Sequence, residues 1–423
     1  MQTGDSGQRA GNLLSGVGGV WQKDKREDRN MEIQMYNMGL GECILLTEGN
    51  KKLAVNCGTR NKRIDGMDSG EIYEEIREKT KKEGYDFLLT QIDPEHIGGF
   101  LQMIRRQDQS GIRTVYLPDL FSRRWMNEVL ALLLLQDLSR GCFLPGKAVA
   151  LTGLMEALLR FSGTLCFVER GDVIGEVYQV LWPEKEGLKE EMEETLALAG
   201  ISDAFYEQDR CMWGELVRVS AVMRSIFLRL PAISRSKDVP RNEEGIPTEL
   251  EEEVRNFRLE FRKLRRNPRF LGMAERCQEK REVFRMFHDR TGLMFHTRKD
   301  GDENFLYTGN AWKEKAAWLQ KNEDGLAGLH ENYWCITLPG HGTDAWYWDF
   351  SPYRPKHFLV SNGYVAGQDN GKISGRYSGM FAVPDVMMHC TSSSWCEGRK
   401  NGICSCWNAQ VTSPRHYSMI QET

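Results

Sequence analysis

Between Met31 and Gly58 the chain carries three short apolar bursts, MEIQMYNMG, ECILLTEG and KKLAVNCG, divided by the turns GLG and EGN. Apolar runs of this length between glycine turns predict three successive strands. The period then changes. SGEIYEEIREKTKK sets Ile72, Tyr73 and Ile76 on one stripe, with Ser69 as a candidate cap, and predicts a helix. YDFLLT predicts the next strand, QIDPEHIGG a polar loop, and GGFLQMIRRQ the helix after it. RTVYLPD, WMNEVLALLLLQDLSRG and VYQVLWPEK continue as strand, helix and a strand ending at Pro183. This alternation predicts an α/β layered architecture.

The texture changes near Glu184. From 184 to 285 the chain is rich in helix formers and heavily charged. Within it, RNFRLEFRKLRRNPR carries Arg255, Arg258, Arg262, Lys263, Arg265, Arg266 and Arg269 against the single acid Glu260. Two readings fit: a solvated face of an inserted helical segment, or a surface that meets nucleic acid or another acidic partner. Strands return after Phe284. GLMFHTRK and NFLYTGN predict a hairpin, AWKEKAAWLQKN a helix, and YWCITLPGHGTD, HFLVSNGY and VMMHCTSS three further strands. No repeat at a fixed period is visible.

A length of 423 residues allows one elaborated domain or two. The formal net charge of -4 argues against a nucleic-acid coat protein. Eleven scattered cysteines, without the rhythm of a disulfide framework, predict reduced thiols and a cytoplasmic setting. No run approaches the ~20 apolar residues of a membrane span. Residues 1–30 are rich in glycine and charge, lack a basic start with an apolar core, and predict a disordered leader rather than a signal peptide. No phosphate loop with a following Lys-Ser/Thr and no G-x-S-x-G elbow is present.

Candidate chemistry gathers in LLTQIDPEHIGG. Its polar cluster of Gln91, Asp93, Glu95 and His96 is ligand-like. Taken with MYNMGLGECILL, LAVNCG, FLYTGN, LPGHGTD and FLVSNGY, in that order, the chain resembles the metallo-β-lactamase superfamily, most closely its competence-protein-type hydrolases. The resemblance runs from Met31 to about Ser394 and implies an αββα sandwich. It divides the chain into halves over 31–183 and 286–423, with 184–285 as a helical insertion. In the family, the loop's first two histidines hold one metal, and the aspartate and third histidine hold the other. Those positions are here Gln91, Asp93, Glu95 and His96. The bridging aspartate falls at Asn310, the later histidine pair at Gly340 and His341, and the early aspartate at Asn56. Only His96 and His341 keep the family's residue.

Asparagine and glutamine amides are poor ligands for a catalytic cation, so a two-metal hydrolase is not expected. Asp93, Glu95, His96 and His341 could still form one oxygen-rich site for zinc or another divalent metal, with Asp93 and Glu95 as ligand or general base. The alternative is a pseudo-site held by ordinary hydrogen bonds, with no metal. A second zinc candidate is structural: Cys390, Cys396, Cys404 and Cys406, although their spacing fits no common finger. Two functions follow. One is a non-catalytic or weakly active binding or sensor subunit with a protein partner, of the kind found in bacterial defence systems. The other is a divergent metal-dependent hydrolase acting on phosphodiesters or other esters.

Overall fold

The computed structural model describes residues 31–421, apart from 65, 106–110, 124, 144–149, 199–203, 237, 279–280, 312, 322–327, 363–372, 392–409 and 413–416. The expected leader over 1–30 lies outside the described residues. Three strands open the fold: β1 (Met31–Tyr36), β2 (Glu42–Glu48) and β3 (Lys51–Gly58). The small pair β4 (Arg63–Ile64) and β5 (Met67–Asp68) leads into α1 (Ser69–Glu83). Next come β6 (Asp86–Leu88), α2 (Pro94–Arg105), β7 (Thr114–Pro118), α3 (Met126–Phe143), α4 (Ala150–Arg160) and β8 (Thr164–Val168). The chain then crosses to a second sheet with β9 (Val173–Ile174) and β10 (Tyr178–Trp182).

Five helices follow: α5 (Lys185–Leu198), α6 (Ala204–Arg235), α7 (Glu251–Arg266), α8 (Pro268–Gln278) and α9 (Arg281–Thr291). The second sheet resumes with β11 (Met294–Thr297) and β12 (Phe305–Tyr307). After α10 (Lys313–Lys321) come β13 (Cys335–Thr337) and β14 (His357–Val360). α11 (Ser378–Phe381), β15 (Met387–Cys390), β16 (Gln410–Thr412) and β17 (Tyr417–Gln421) close the fold.

The first sheet has the order β17-β1-β2-β3-β6-β7-β8, the second β16-β15-β14-β13-β12-β11-β10-β9. Each sheet joins an antiparallel part to a parallel part: β3, β6, β7 and β8 run parallel in one, β12 to β16 in the other. Parallel neighbours need crossovers: α1 lies between β3 and β6, α2 between β6 and β7, α3 and α4 between β7 and β8, and α10 between β12 and β13.

Side-chain alternation sorts residues between layers. Ile33, Met35, Ile44, Leu46 and Val55 meet Val180, Phe295, Phe305 and Leu359 of the second sheet. The alternate positions Cys43, Leu45 and Ala54 turn outward against Ile72, Ile76, Ile97 and Phe100 of α1 and α2. A one-residue slip would exchange the two faces, so the pattern fixes the register. The result is the αββα sandwich that the resemblance implies.

The helices after Glu184 pack on the first sheet's helical layer. α6 packs on α3 and β8, α7 on α6, and α8 on α3. Val254, Phe257 and Leu264 of α7 belong to the same apolar cluster as α1 and α2. Arg258 fixes α7 to α4: its Nε and Nη2 bond both oxygens of Glu156 at 2.8 and 2.7 Å, and Nη1 reaches Glu244 at 2.6 Å. Lysine cannot reproduce a bidentate fork. Arg258→Lys is therefore expected to lower the unfolding free energy by about 1 kcal/mol in urea titration.

Some local expectations need correction. The cap of α1 is Asp68, whose carboxylate accepts the Gly70 N–H at 2.8 Å, not Ser69. Helix α2 begins at Pro94, so Glu95 and His96 lie in its first turn and Gly98 and Gly99 in its body, not in a loop. A Cβ on Gly99 would lie 2.4 Å from the Tyr73 ring and 2.7 Å from Cys57 Sγ, so glycine here lets α2 press against β3 and α1. His288 is buried in α9. Strands β8 and β17 were not anticipated.

Candidate functional site

The polar residues meet where β3, β6, β12, β13 and β14 all end. Loops leaving the carboxyl ends of parallel strands are where α/β sheets build binding sites. The cavity there is lined by Glu42, His96, Tyr307, Asn310, His341 and Ser361, with an apolar rim from both sheets. Its volume is about 20 Å³, room for a single water.

Its floor is a hydrogen-bond network across the two sheets. Asn56 is fully buried at the end of β3 and sits at φ 58°, a left-handed conformation that asparagine tolerates better than most residues. Its Nδ2 donates to Glu42 Oε2 at 2.6 Å, Thr90 Oγ1 at 2.8 Å and Tyr307 Oη at 3.1 Å. Its Oδ1 accepts the Thr90 N–H at 2.8 Å. Tyr307 donates to the same Glu42 oxygen. Burial, with the nearby Glu42 charge, holds the Tyr307 phenol well above its ordinary range, so it stays a donor. Asn56 thus acts as a structural clasp here.

Asp93 organises the wall. Its Oδ1 accepts the Glu95 N–H at 2.7 Å, its carbonyl accepts the His96 and Ile97 N–H groups, and Pro94 supplies the first helical position of α2. This is an N-cap built from Asp-Pro-Glu. The other oxygen, Oδ2, lies 2.8 Å from His96 Nδ1. Both side chains are buried.

Burial alone would hold each of the pair neutral, but their mutual attraction wins. Burial lowers the His96 imidazole and the Asp93 charge and hydrogen bond more than restore it, to about 9. Burial raises Asp93, and His96 with the more distant His288 and Arg60 brings it below the usual carboxylate range. Glu95 goes the other way: burial and the Asp93 charge raise it, against the pull of Arg60, whose Nε lies 3.1 Å away.

The remaining ligand-type positions are engaged or closed. Asn310 Nδ2 donates to Asp289 Oδ1 of α9 at 2.5 Å. Gln91 is buried and packs toward Gly292, its Nε2 without a hydrogen-bond partner among the described residues. His341 lines the cavity, but its Nδ1 is spent on the Ser361 carbonyl. Gly340 sits at φ 51°, and a Cβ there would lie 2.0 Å from Trp346 Cδ1.

His96 and His341 therefore share one cavity. Asp93 stands behind His96, while Glu95 turns to Arg60. Among the described residues no three His, Cys, Asp or Glu side chains converge as the ligands of a cation would. The described residues as placed do not fit the metal pair of the resemblance. Cys390 is buried at the end of β15, where His389 Nε2 lies 3.2 Å from His357 Nδ1. Cys396, Cys404 and Cys406 lie outside the described residues.

Glu42, Tyr307, Arg60 and Asp289 escaped the sequence reading. A signal existed for Glu42, which follows the Gly-Leu-Gly turn of the first matched segment. Tyr307 stands directly before Thr308-Gly309-Asn310. Nothing marked Arg60 or Asp289, whose roles depend on α2 and α9 arriving from elsewhere.

Structural comparison finds a likeness to the metallo-beta-lactamase fold protein YhfI from Bacillus subtilis, at 7% identity and a TM-score of 0.37, over 93% of this chain and 100% of that one. No family model matches the chain, and no curated protein matches it. Among the described residues no helix is long and apolar enough to cross a membrane.

Proposed function

We propose that this chain is a non-catalytic protein of the metallo-β-lactamase type, related to the competence-protein branch, that serves as a binding or sensor subunit. The observation that carries the reading is the Asp93–His96 ion pair. In a metal centre these two groups would turn their oxygen and nitrogen toward a cation. Here they turn to each other, and the imidazolium supplies the positive charge that the buried carboxylate requires. The Asn310–Asp289 bond and the closed Gly340 position support the same reading.

The test is elemental analysis of protein purified without chelator, beside an assay of phosphodiester turnover on bis(p-nitrophenyl) phosphate. The expected result is less than one equivalent of zinc, manganese or iron, and no turnover above that of the His96→Ala variant. One or two equivalents, with hydrolysis lost on chelation and in His96→Ala, would establish the divergent hydrolase instead.

A further inference from the structure

The arginines of α7 and α8 divide into two sets. Arg258 is bound to Glu156 and Glu244, and Lys263 to Glu260. Arg255, Arg262, Arg265, Arg266 and Arg269 are exposed, and their guanidiniums carry no ion pair among the described residues. Glu260, the one acid within the run, is already held by Arg218 at 2.6 Å as well as by Lys263. Of the acids of the first turn, Glu253 is paired with Arg229, while Glu251 and Glu252 lie one turn before Arg255 and at the opposite end of α7 from Arg262 and Arg266.

Arg255, Leu259, Arg262 and Arg266 follow one another at spacings of four, three and four residues. Such spacing puts them on one helix stripe. Burial agrees: Val254, Phe257 and Leu264 face inward while these four face solvent. At a rise of 1.5 Å per residue the stripe is about 16 Å long. On a chain of net charge -4, the arginines from Arg262 to Arg269, without an ion pair among the described residues, make a local reversal of sign.

We propose that this stripe, extended by Arg265 and Arg269, is a docking surface for the phosphate backbone of duplex nucleic acid, independent of the cleft and of its reading. Charge complementarity selects the partner. Arginine presents a fork matched to phosphate oxygens, and each strand of a duplex carries one phosphate per ~3.4 Å of helix axis, so a row of about 16 Å can meet several at once. An anionic membrane fits less well, because the apolar face of α7 is buried in the protein and only Leu259, 48% exposed, could enter a bilayer. A single strand fits less well too. It calls for exposed rings on which bases stack, and Phe257 and Phe261 point away from the stripe. Contacts to phosphate alone make the binding independent of base sequence.

The experiment measures binding of a fluorescent duplex of about 30 base pairs across a salt series, with a single strand of equal length, polyglutamate and phosphatidylserine vesicles as competitors. The variant carries Arg255→Gln, Arg262→Gln and Arg266→Gln. A control carries Lys51→Gln, Lys52→Gln and Arg113→Gln, which remove the same charge at ion-paired sites away from the stripe. Circular dichroism checks that both fold. The parent is expected to bind with a log–log salt slope near about -3, from ~0.9 per phosphate neutralised. The stripe variant should bind about tenfold weaker or more, its slope reduced by about two to three, with the control within about twofold of the parent. No duplex binding at low salt, an unchanged stripe variant, or an equal loss in the control would overturn the proposal. So would tighter binding of the single strand, polyglutamate or vesicles than of the duplex.

Discussion

Replacing His96 with glutamine is expected to cost about 3–5 kcal/mol at neutral pH, the range for breaking a buried ion pair by removing one partner. The glutamine amide can still hydrogen-bond Asp93, but it cannot supply charge. Asp93 would remain buried with its N-cap bond to Glu95 intact and its strongest counter-charge gone. The pH dependence is the more specific signature. His96 holds its proton more tightly in the folded protein, up to about 9, than the ordinary value near 6.5. Its stabilisation is therefore complete below about 6.5 and is lost as the pH rises through about 9. Asp93 is held low, so its contribution is present above its ordinary value near ~3.9 and is lost as the pH falls below it. Urea midpoints should show the parent and His96→Gln far apart between roughly pH 5 and 8 and converging at either extreme. Equal stability across that window, or a gap that persists at pH 10, would show that His96 does not carry the charge assigned to it.

The same residues show how far the sequence could be read. The apolar bursts from Met31 to Gly58 were legible because one face of each strand meets the other sheet and one meets α1 or α2. Period-two patterning is dictated by those two layers and little else. The ordered short segments located the cleft, since each is a strand end whose loop must turn sharply into it. The start of α2 was misplaced because the weight fell on Gly98-Gly99 rather than on Asp93-Pro94-Glu95. That tripeptide is a cap, a first-turn proline and a first-turn acid, and it was legible in principle.

The partners of the polar groups were not. Whether Asp93 faces a cation or an imidazolium, and whether Asn310 faces a metal or Asp289, depends on side-chain directions set by α2 and α9 together. The basic run shows the same limit. Its composition was plain, but only packing against α4 and α6 divides Arg258 from Arg255, Arg262 and Arg266. β17, which completes the first sheet beside β1, is five residues long and carries no local mark of its distant pairing.

Placing the metal ligands of the metallo-β-lactamase resemblance at these positions one at a time is expected to fail, and at position 340 to fail hardest. Gly340→His should cost about 2–6 kcal/mol, the sum of about 1–3 for a side chain in the left-handed region and about 1–3 for overpacking. The backbone there sits at φ 51° and the first carbon of any side chain would lie 2.0 Å from Trp346. Trp346 cannot simply swing away, because it is itself buried, in the turn that follows His341. Gly340→Ala should show most of the same loss, since the clash begins at Cβ, and this variant separates backbone and Cβ strain from any effect of an imidazole.

Asn310→Asp fails for a different reason. It would set a carboxylate against Asp289, across a contact of 2.5 Å, where both cannot be ionised together. That variant should lose stability relative to the parent as the pH rises from about 5 to 8 and recover it on acidification. Gln91→His with Asn310→Asp is therefore expected to bind no more zinc than the parent in a calorimetric titration. Strong zinc binding by that pair, or a Gly340→His protein as stable as the parent in urea, would mean that these positions are open to a ligand and that the cleft is not organised around its ion pair.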